Sequence, residues 1–276
     1  CNSLLSITLQ DKSDQDMKIS KRTFNECKSL INVNITSNSA LKLNNDIFSE
    51  NNKLEAINIS CNTIVIDKCF ENSSLKKIEM NCKDSIIIKE SFKNCLNLKE
   101  IILSNAPQII IEENSFCGCL NLSTISLSKI GYIKSNAFYE CNANIKVNIN
   151  FSQNFDSFKF FDTEKKLQDG NSSKLFVVKD KMTNEKYVVK QQGIYYNKQQ
   201  NNINRIILSL RKSNPTISPF FAFGMFKCES QQSFAILTKY FEKGSLEGAL
   251  ENNILSGTQK YIILLGIALG MKHIHT

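Results

Sequence analysis

The sequence predicts an α+β chain of two unlike parts, a β-rich repeat solenoid over residues 1–151 and a unit of strands followed by helices over residues 152–276. Three observations carry this reading. Phenylalanine recurs at Phe24, Phe48, Phe70, Phe92, Phe116 and Phe138, at intervals of 24, 22, 22, 24 and 22 residues. Between these positions apolar and polar residues alternate at period two, the pattern of half-buried strands. From Phe151 to Gly170 the repeat gives way to Phe-, Asp- and Lys-rich sequence, and the pattern that follows is strand pairs and then a helix. A chain of 276 residues accommodates two domains, each able to bury its own core.

Within each repeat the Phe opens a Phe-x-x-Cys motif, with Cys at positions 27, 95, 119 and 141 and with Asn51 and Ser73 in its place in two copies. A Leu-x-x-Ile-x-Leu pattern follows, seen in Leu30-Val33-Ile35, Leu54-Ile57-Ile59, Leu75-Ile78-Met80, Leu98-Ile101-Leu103 and Leu122-Ile125-Leu127, with Leu4-Ile7-Leu9 from an earlier copy. A second alternation then precedes the next Phe, as in Leu41-Leu43, Ile64-Ile66, Ile86-Ile88 and Ile109-Ile111. A unit this short cannot bury its apolar face alone, so successive coils stack and share one core, with Phe and Cys in ladders along its inside. The copy after Cys141 degrades into Ile145-Val147-Ile149, as a capping or exit coil does. Cys117 and Cys119 are read as two structural thiols rather than a zinc site, since one is a repeat Cys and no His is near. Asn38 and Asn62 are read as backbone-bonding residues. The units resemble BspA-like leucine-rich repeats, and that resemblance implies an extended sheet surface that binds a protein partner.

Charge divides unequally. Residues 1–150 hold 17 Lys and Arg against 16 Asp and Glu, the remainder 17 against 10, so most of the net +8 lies in the second part. Without a clustered basic run this describes a solvated exterior and gives no sign of nucleic-acid binding. The longest apolar stretch, Tyr261 to Met271, falls short of the roughly 20 residues that span a bilayer, so no membrane span is expected. The ten cysteines are scattered and four recur at one repeat position, which points to reduced, buried thiols and a cytoplasmic address. Cys1 stands in mid-repeat and His273-Ile274-His275-Thr276 break off in a helical pattern, so the expectation is a piece of a longer protein. His273 and His275 are read as packing or surface residues.

In the second part a hairpin is predicted from residues 174–179 and 186–190 around the turn Asp180 to Glu185. Its ending Tyr187-Val188-Val189-Lys190 resembles the V-A-I-K strand of protein kinases. Asn214-Pro215-Thr216-Ile217 is similar to the family's H-P-N-I turn, and the strand Phe220 to Phe226 follows it. The run Ala235 to Leu246, which includes Thr238-Lys239-Tyr240-Phe241 and Gly244-Ser245-Leu246, resembles the hinge of tyrosine-kinase-like kinases. Residues 258–276 resemble the long helix that leads to the catalytic loop. The resemblance implies a kinase N-lobe, a five-stranded sheet plus a helix, and the first helices of a C-lobe. It also implies ATP between Gly170, Leu175, Val188 and Lys190 on one side and the hinge residues Thr238, Lys239 and Phe241 on the other, with Mg supplied to the complete protein. A complete protein of this kind transfers the ATP γ-phosphate to protein Ser or Thr.

Two departures favour the alternative, a pseudokinase or scaffold acting only by protein binding. Of the three glycine-loop positions, Gln168 and Ser173 replace two, and no Asp or Glu occurs between Glu185 and Glu229, where active kinases supply a partner for the strand lysine. The catalytic and magnesium-binding aspartates of the family are not in this sequence, so no catalytic residue is assigned and no metal site is expected. A helix of this kind, without the lobe it packs on, is expected to expose apolar surface.

Overall fold

A computed structural model describes residues 3–44, 47–48, 51–128, 132–134, 136–142, 144–149, 161–169, 173–181, 183–192, 220–228, 231–242 and 244–275. In the repeat part each coil before β11 contributes two strands. The first set comprises β1 (Ser6–Asp11), β3 (Asn32–Ser37), the leading halves of β5 (Ala56–Asp67) and β6 (Lys77–Lys89), β7 (Glu100–Ser104), β9 (Thr124–Leu127) and β11 (Lys146–Ile149). The second set comprises β2 (Met17–Lys18), β4 (Ala40–Leu43), the trailing halves of β5 and β6, β8 (Gln108–Ile111) and β10 (Tyr132–Lys134). Both sets pair in parallel, with each repeat position beside its counterpart in the next coil, as in Ile57↔Ile78, Ile78↔Ile101 and Ile101↔Ile125. The alternating residues explain why. From β3 onward the alternating Ile, Leu and Val point inward and are buried, while the residues between them, mostly Asn, Ser, Thr, Lys and Glu, face outward.

Identical residues stacked at the strand spacing of about 4.8 Å form ladders. Rings of Phe24, Phe48, Phe70, Phe92, Phe116 and Phe138 stack in sequence, with centroids 5.1 to 5.4 Å apart. Parallel aromatic rings at that distance are in favourable offset contact. The predicted Cys ladder lies beside them, and its thiols donate hydrogen bonds to the backbone of the preceding coil. Cys95 Sγ donates to Phe70 O and Cys119 Sγ to Phe92 O, each at 3.0 Å, and Cys141 Sγ to Phe116 O at 2.8 Å. Where Asn51 replaces Cys, its Nδ2 donates to Phe24 O at 2.8 Å and Cys27 O at 3.0 Å. The substitute therefore serves the same carbonyl.

The Phe backbone is tied in the other direction. Phe70, Phe92 and Phe116 donate their N–H groups to Ser91 O, Ser115 O and Ala137 O of the next coil at 2.8 to 2.9 Å. Two residues to either side of Phe70, Phe92, Phe116 and Phe138 the backbone is left-handed, at Lys68, Glu90, Asn114 and Asn136 before the ring and at Asn72, Asn94, Gly118 and Glu140 after it. Asn and Gly tolerate this conformation best. At Gly118 an added Cβ would also stand 2.4 Å from Asn94 Oδ1.

The second part adds β12 (Phe161–Asp169), β13 (Ser173–Asp180), β14 (Lys186–Gln192), β15 (Phe220–Cys228) and β16 (Gln231–Lys239), antiparallel in the order β15-β16-β14-β13-β12. The predicted hairpin is present. β12 was not foreseen, and β16 begins four residues before the run from Ala235 read as a hinge. The change of pattern at residue 152 does not interrupt the sheet, because β15 pairs antiparallel with β10, Ile133 opposite Phe223. Phe223 and Phe234 are buried in the solenoid core, with Ile236 packed against it. The degraded copy at β11, expected to cap the solenoid, ends only the first set of strands, where it pairs with β9. The second set is closed by β15.

Two helices follow, α1 (Leu246–Glu251) and α2 (Gly257–His275). Ser245 caps α1 as predicted, its Oγ accepting from Gly248 N–H at 3.1 Å. Large side chains of α2, among them Tyr261, Ile262, Leu264, Leu265 and Met271, are exposed, which is the apolar surface expected for this helix. Among the described residues no helix is long and apolar enough to cross a membrane. The helix expected at residues 199–211 and the turn at 214–217 lie outside the described residues, and so does Gly170.

Removing one ring from the middle of the stack tests its contribution. Phe92→Ala deletes a fully buried ring with stacked neighbours on both sides and is expected to cost about 3–5 kcal/mol. Urea unfolding followed by circular dichroism should show the midpoint falling accordingly; a change within about 0.5 kcal/mol, typical of a surface substitution, would show that the stack is not a source of stability.

Candidate functional site

Of the residues singled out for a nucleotide, Leu175, Val188, Lys190, Thr238 and Lys239 fall on three neighbouring strands. Register places Leu175 opposite Lys190 and Lys190 opposite Ile236, and Val177 opposite Val188 and Val188 opposite Thr238. Partners in register share a face, and residues two apart on a strand share it too. Leu175, Val188, Lys190 and Thr238 therefore stand on one face of β13, β14 and β16, although 63 positions separate the first from the last (238 − 175). Thr238 Oγ1 donates to Val188 O at 3.4 Å across the strand pair. Lys190 is exposed, Leu175, Val188 and Thr238 are half-buried, and Lys239 and Phe241 are exposed where β16 ends.

The opposite face is a small core. Phe176, Val178, Tyr187, Val189, Phe226, Ala235 and Leu237 pack there, with Phe161 of β12 against them. Phe161 meets the Tyr187 ring edge-on at 5.8 Å. This packing holds β13, β14 and β16 together and leaves Lys190 projecting from the other side. Among the described residues Lys190 forms no ion pair, in keeping with the sequence, which has no carboxylate from residue 186 to 228.

The second candidate surface is the outer face of the first strand set. One row reads Thr8, Asn34, Asn58, Glu79, Ile102, Ser126 and Asn148, all in register. These side chains are exposed or half-buried. Asn58 Nδ2 donates to Asn34 Oδ1 at 2.9 Å, and Lys77 bridges Glu79 at 3.6 Å and Glu100 at 3.4 Å. Towards β11 the face turns into a shallow hollow lined by Ile102, Leu103, Ser104, Ser126, Leu127, Ser128 and Asn148. It combines an apolar floor with small polar groups, the chemistry of a surface that receives another chain. The two backbone-bonding asparagines do as predicted, Asn62 Nδ2 donating to Asn38 O and Asn38 Nδ2 to Lys12 O. Cys119 lies in the thiol ladder and Cys117 is buried.

Sequence reasoning missed what joins the two surfaces. Phe223 and Phe234 read as ordinary strand residues, yet they complete the core of a unit that begins some 200 positions earlier in the chain. Strand β12, with the sequence FDTEKKLQD, has too few apolar residues for a central strand. Its place at the sheet edge, with two register irregularities against β13, accounts for its lysines.

Stacked coils with in-register parallel strands, an internal Phe ladder and one strand set facing solvent define a leucine-rich β-solenoid. The family profile described as BspA type Leucine rich repeat region matches in six copies, over residues 1–99 and 63–175, and the chain belongs to that family. No curated protein and no solved structure matches it. The kinase resemblance of the second part rests on its sequence alone.

Tyr187 offers a pH handle on the small core. Burial and the bond its hydroxyl donates to Glu185 Oε2 at 2.6 Å hold the phenol above its usual range. A phenol that ionises less readily folded than unfolded contributes fully below its unfolded pKa of about 10, and the contribution is lost as pH rises above that value. Tyr187→Phe should therefore flatten the loss of stability between pH values of about 9 and 11.5; urea midpoints that fall equally in both proteins would remove Tyr187 from the alkaline transition.

Proposed function

We propose that this chain recruits a protein partner through the outer face of its repeat solenoid and holds an adenine nucleotide on the antiparallel sheet joined to it. The first half of the proposal is carried by the uncovered, in-register face of the first strand set. Extended repeat surfaces of this type commonly act as protein-binding modules. The row from Thr8 to Asn148 has small polar groups at regular spacing and one apolar position, Ile102, beside the hollow. Such a surface has hydrogen-bonding groups for register and an apolar point for anchoring.

The nucleotide reading is favoured by the convergence of Leu175, Val188, Lys190 and Thr238 on one face. A long cation projecting from a rigid strand suits phosphate oxygens, and half-buried aliphatic neighbours suit an adenine ring. The absence of a carboxylate from residue 186 to 228 removes the ion pair that positions such a lysine in an active kinase. These residues therefore support nucleotide binding, with phosphoryl transfer by this chain disfavoured. In a longer parent, γ-phosphate transfer to protein Ser or Thr would need aspartates supplied from outside these 276 residues, together with Mg.

Two experiments separate the halves of the proposal. In the first, the chain and its Ile102→Glu variant serve as baits and bound proteins are compared by mass spectrometry; partners retained by the parent and lost by the variant support the solenoid face, and identical recoveries count against it. In the second, ATP with magnesium is titrated against the melting temperature. Binding at a hundredfold excess over Kd stabilises by about 2.7 kcal/mol, so the parent should melt higher and Lys190→Ala should respond little. No shift at millimolar ATP would leave a scaffold that works by protein binding alone.

A further inference from the structure

Among the thiols outside the Phe-x-x-Cys position, two face each other across adjacent coils. Cys61 and Cys82 do not occupy the Phe-x-x-Cys position; they sit at the corner where β5 and β6 turn from the first strand set into the second. They are register partners on adjacent parallel strands, and their Sγ atoms are 3.4 Å apart. Both are buried, Cys61 at 4% and Cys82 at 0% exposure. The ladder thiols Cys95, Cys119 and Cys141 are each directed at a Phe carbonyl of the preceding coil. Cys61 and Cys82 meet each other, and Cys61 Sγ lies equally 3.4 Å from the carbonyl of Thr63 in its own coil.

We infer that Cys61 and Cys82 form a reversible intramolecular disulfide site, which staples two adjacent coils when the protein meets a low-molecular-weight disulfide. Adjacent strands stand about 4.8 Å apart, within the Cα separation of roughly 4.4–6.8 Å that a disulfide accepts. The pairing of β5 with β6 has an irregularity between Cys61 and Thr63, immediately beside the pair. The backbone is thus released from strict ladder geometry at the place where a new bond would ask it to adjust.

The hydrogen bond from Cys61 lowers the Cys82 thiol below its usual range, while burial opposes it; for Cys61 that same bond and burial raise it. The nucleophile is one thiolate of the pair, Cys82 where Cys61 donates its S–H to it. It attacks one sulfur of the small disulfide as the corner opens, expelling one thiolate. Cys61 then attacks the Cys82 sulfur of the mixed disulfide, gives up its proton, and expels the second. Two protein thiols are oxidised, the small disulfide is reduced to two thiols, and both protein protons leave with them.

Incubating the folded chain with oxidised glutathione, blocking residual thiols under denaturing conditions, and mapping peptides by mass tests this directly. The expected product joins the Cys61 and Cys82 peptides, lighter by two hydrogens, with Cys27, Cys69, Cys95, Cys117, Cys119 and Cys141 all blocked. It should melt above the reduced protein, and dithiothreitol should reverse both changes. Cys61→Ser should gain no melting increment from oxidation. The proposal is overturned if both thiols are recovered blocked, if Cys82 retains glutathione, or if the linked pair lies in the Phe-x-x-Cys ladder. The mapping is made on the unaltered chain, so its answer stands even where a variant fails to fold.

Discussion

The rest of the structure depends on a match of two lengths. Parallel strands stack at about 4.8 Å, and the phenylalanine rings of successive coils stack at 5.1 to 5.4 Å. A residue repeated at one position of every coil thus meets its own copy in van der Waals contact, and no other residue is needed to fill the space between. This is why the repeats keep their phase while their length varies between 22 and 24 residues. The extra residues fall outside the Phe corner, where the chain can absorb them. The corner itself is constrained from both sides, since each Phe in the middle coils gives its N–H to the next coil, and its carbonyl accepts from the ladder thiol of that coil. A thiol suits this position because it is small and apolar enough for the core while still able to donate a weak hydrogen bond.

The same constraint explains how the two parts of the chain come to share a sheet. A stack of coils has an open edge wherever it stops, and an exposed edge of unpaired backbone groups is a liability. At the exit of this solenoid the two strand sets end differently, one at β11 and the other against β15. The antiparallel strand satisfies the edge of β10 and inserts Phe223 into the end of the apolar core. One face of the five-stranded sheet therefore continues the interior of the solenoid, and that face also carries Leu175, Val188, Lys190 and Thr238. The two surfaces thus belong to one continuous set of backbone hydrogen bonds.

Much of the repeat part was legible in the sequence because one signal was written six times over. The Phe spacing, the Leu-x-x-Ile-x-Leu strands and the second alternation each predicted a feature that the structure contains, down to the thiols beside the rings. The hairpin around Lys190 and the cap at Ser245 were legible from local pattern. The junction was not, because a pairing between Ile133 and Phe223 leaves no trace in local periodicity. Cys61 and Cys82 were visible only as residues out of phase, and their proximity follows from register across coils of unequal length. Strand β12 was hidden by its lysines, which belong to its place at the edge.

The antiparallel closure at β10 also governs how such a protein can change in length. Coils in the interior of the stack present the same parallel edge on both sides, so one can be duplicated or deleted and the register resumes. After Lys134 that freedom ends. A coil inserted there would come between β10 and β15 and part Phe223 from Ile133, the residue it now pairs with. The repeat array can thus grow from within, but its last coil is fixed in identity by the strand it has to meet.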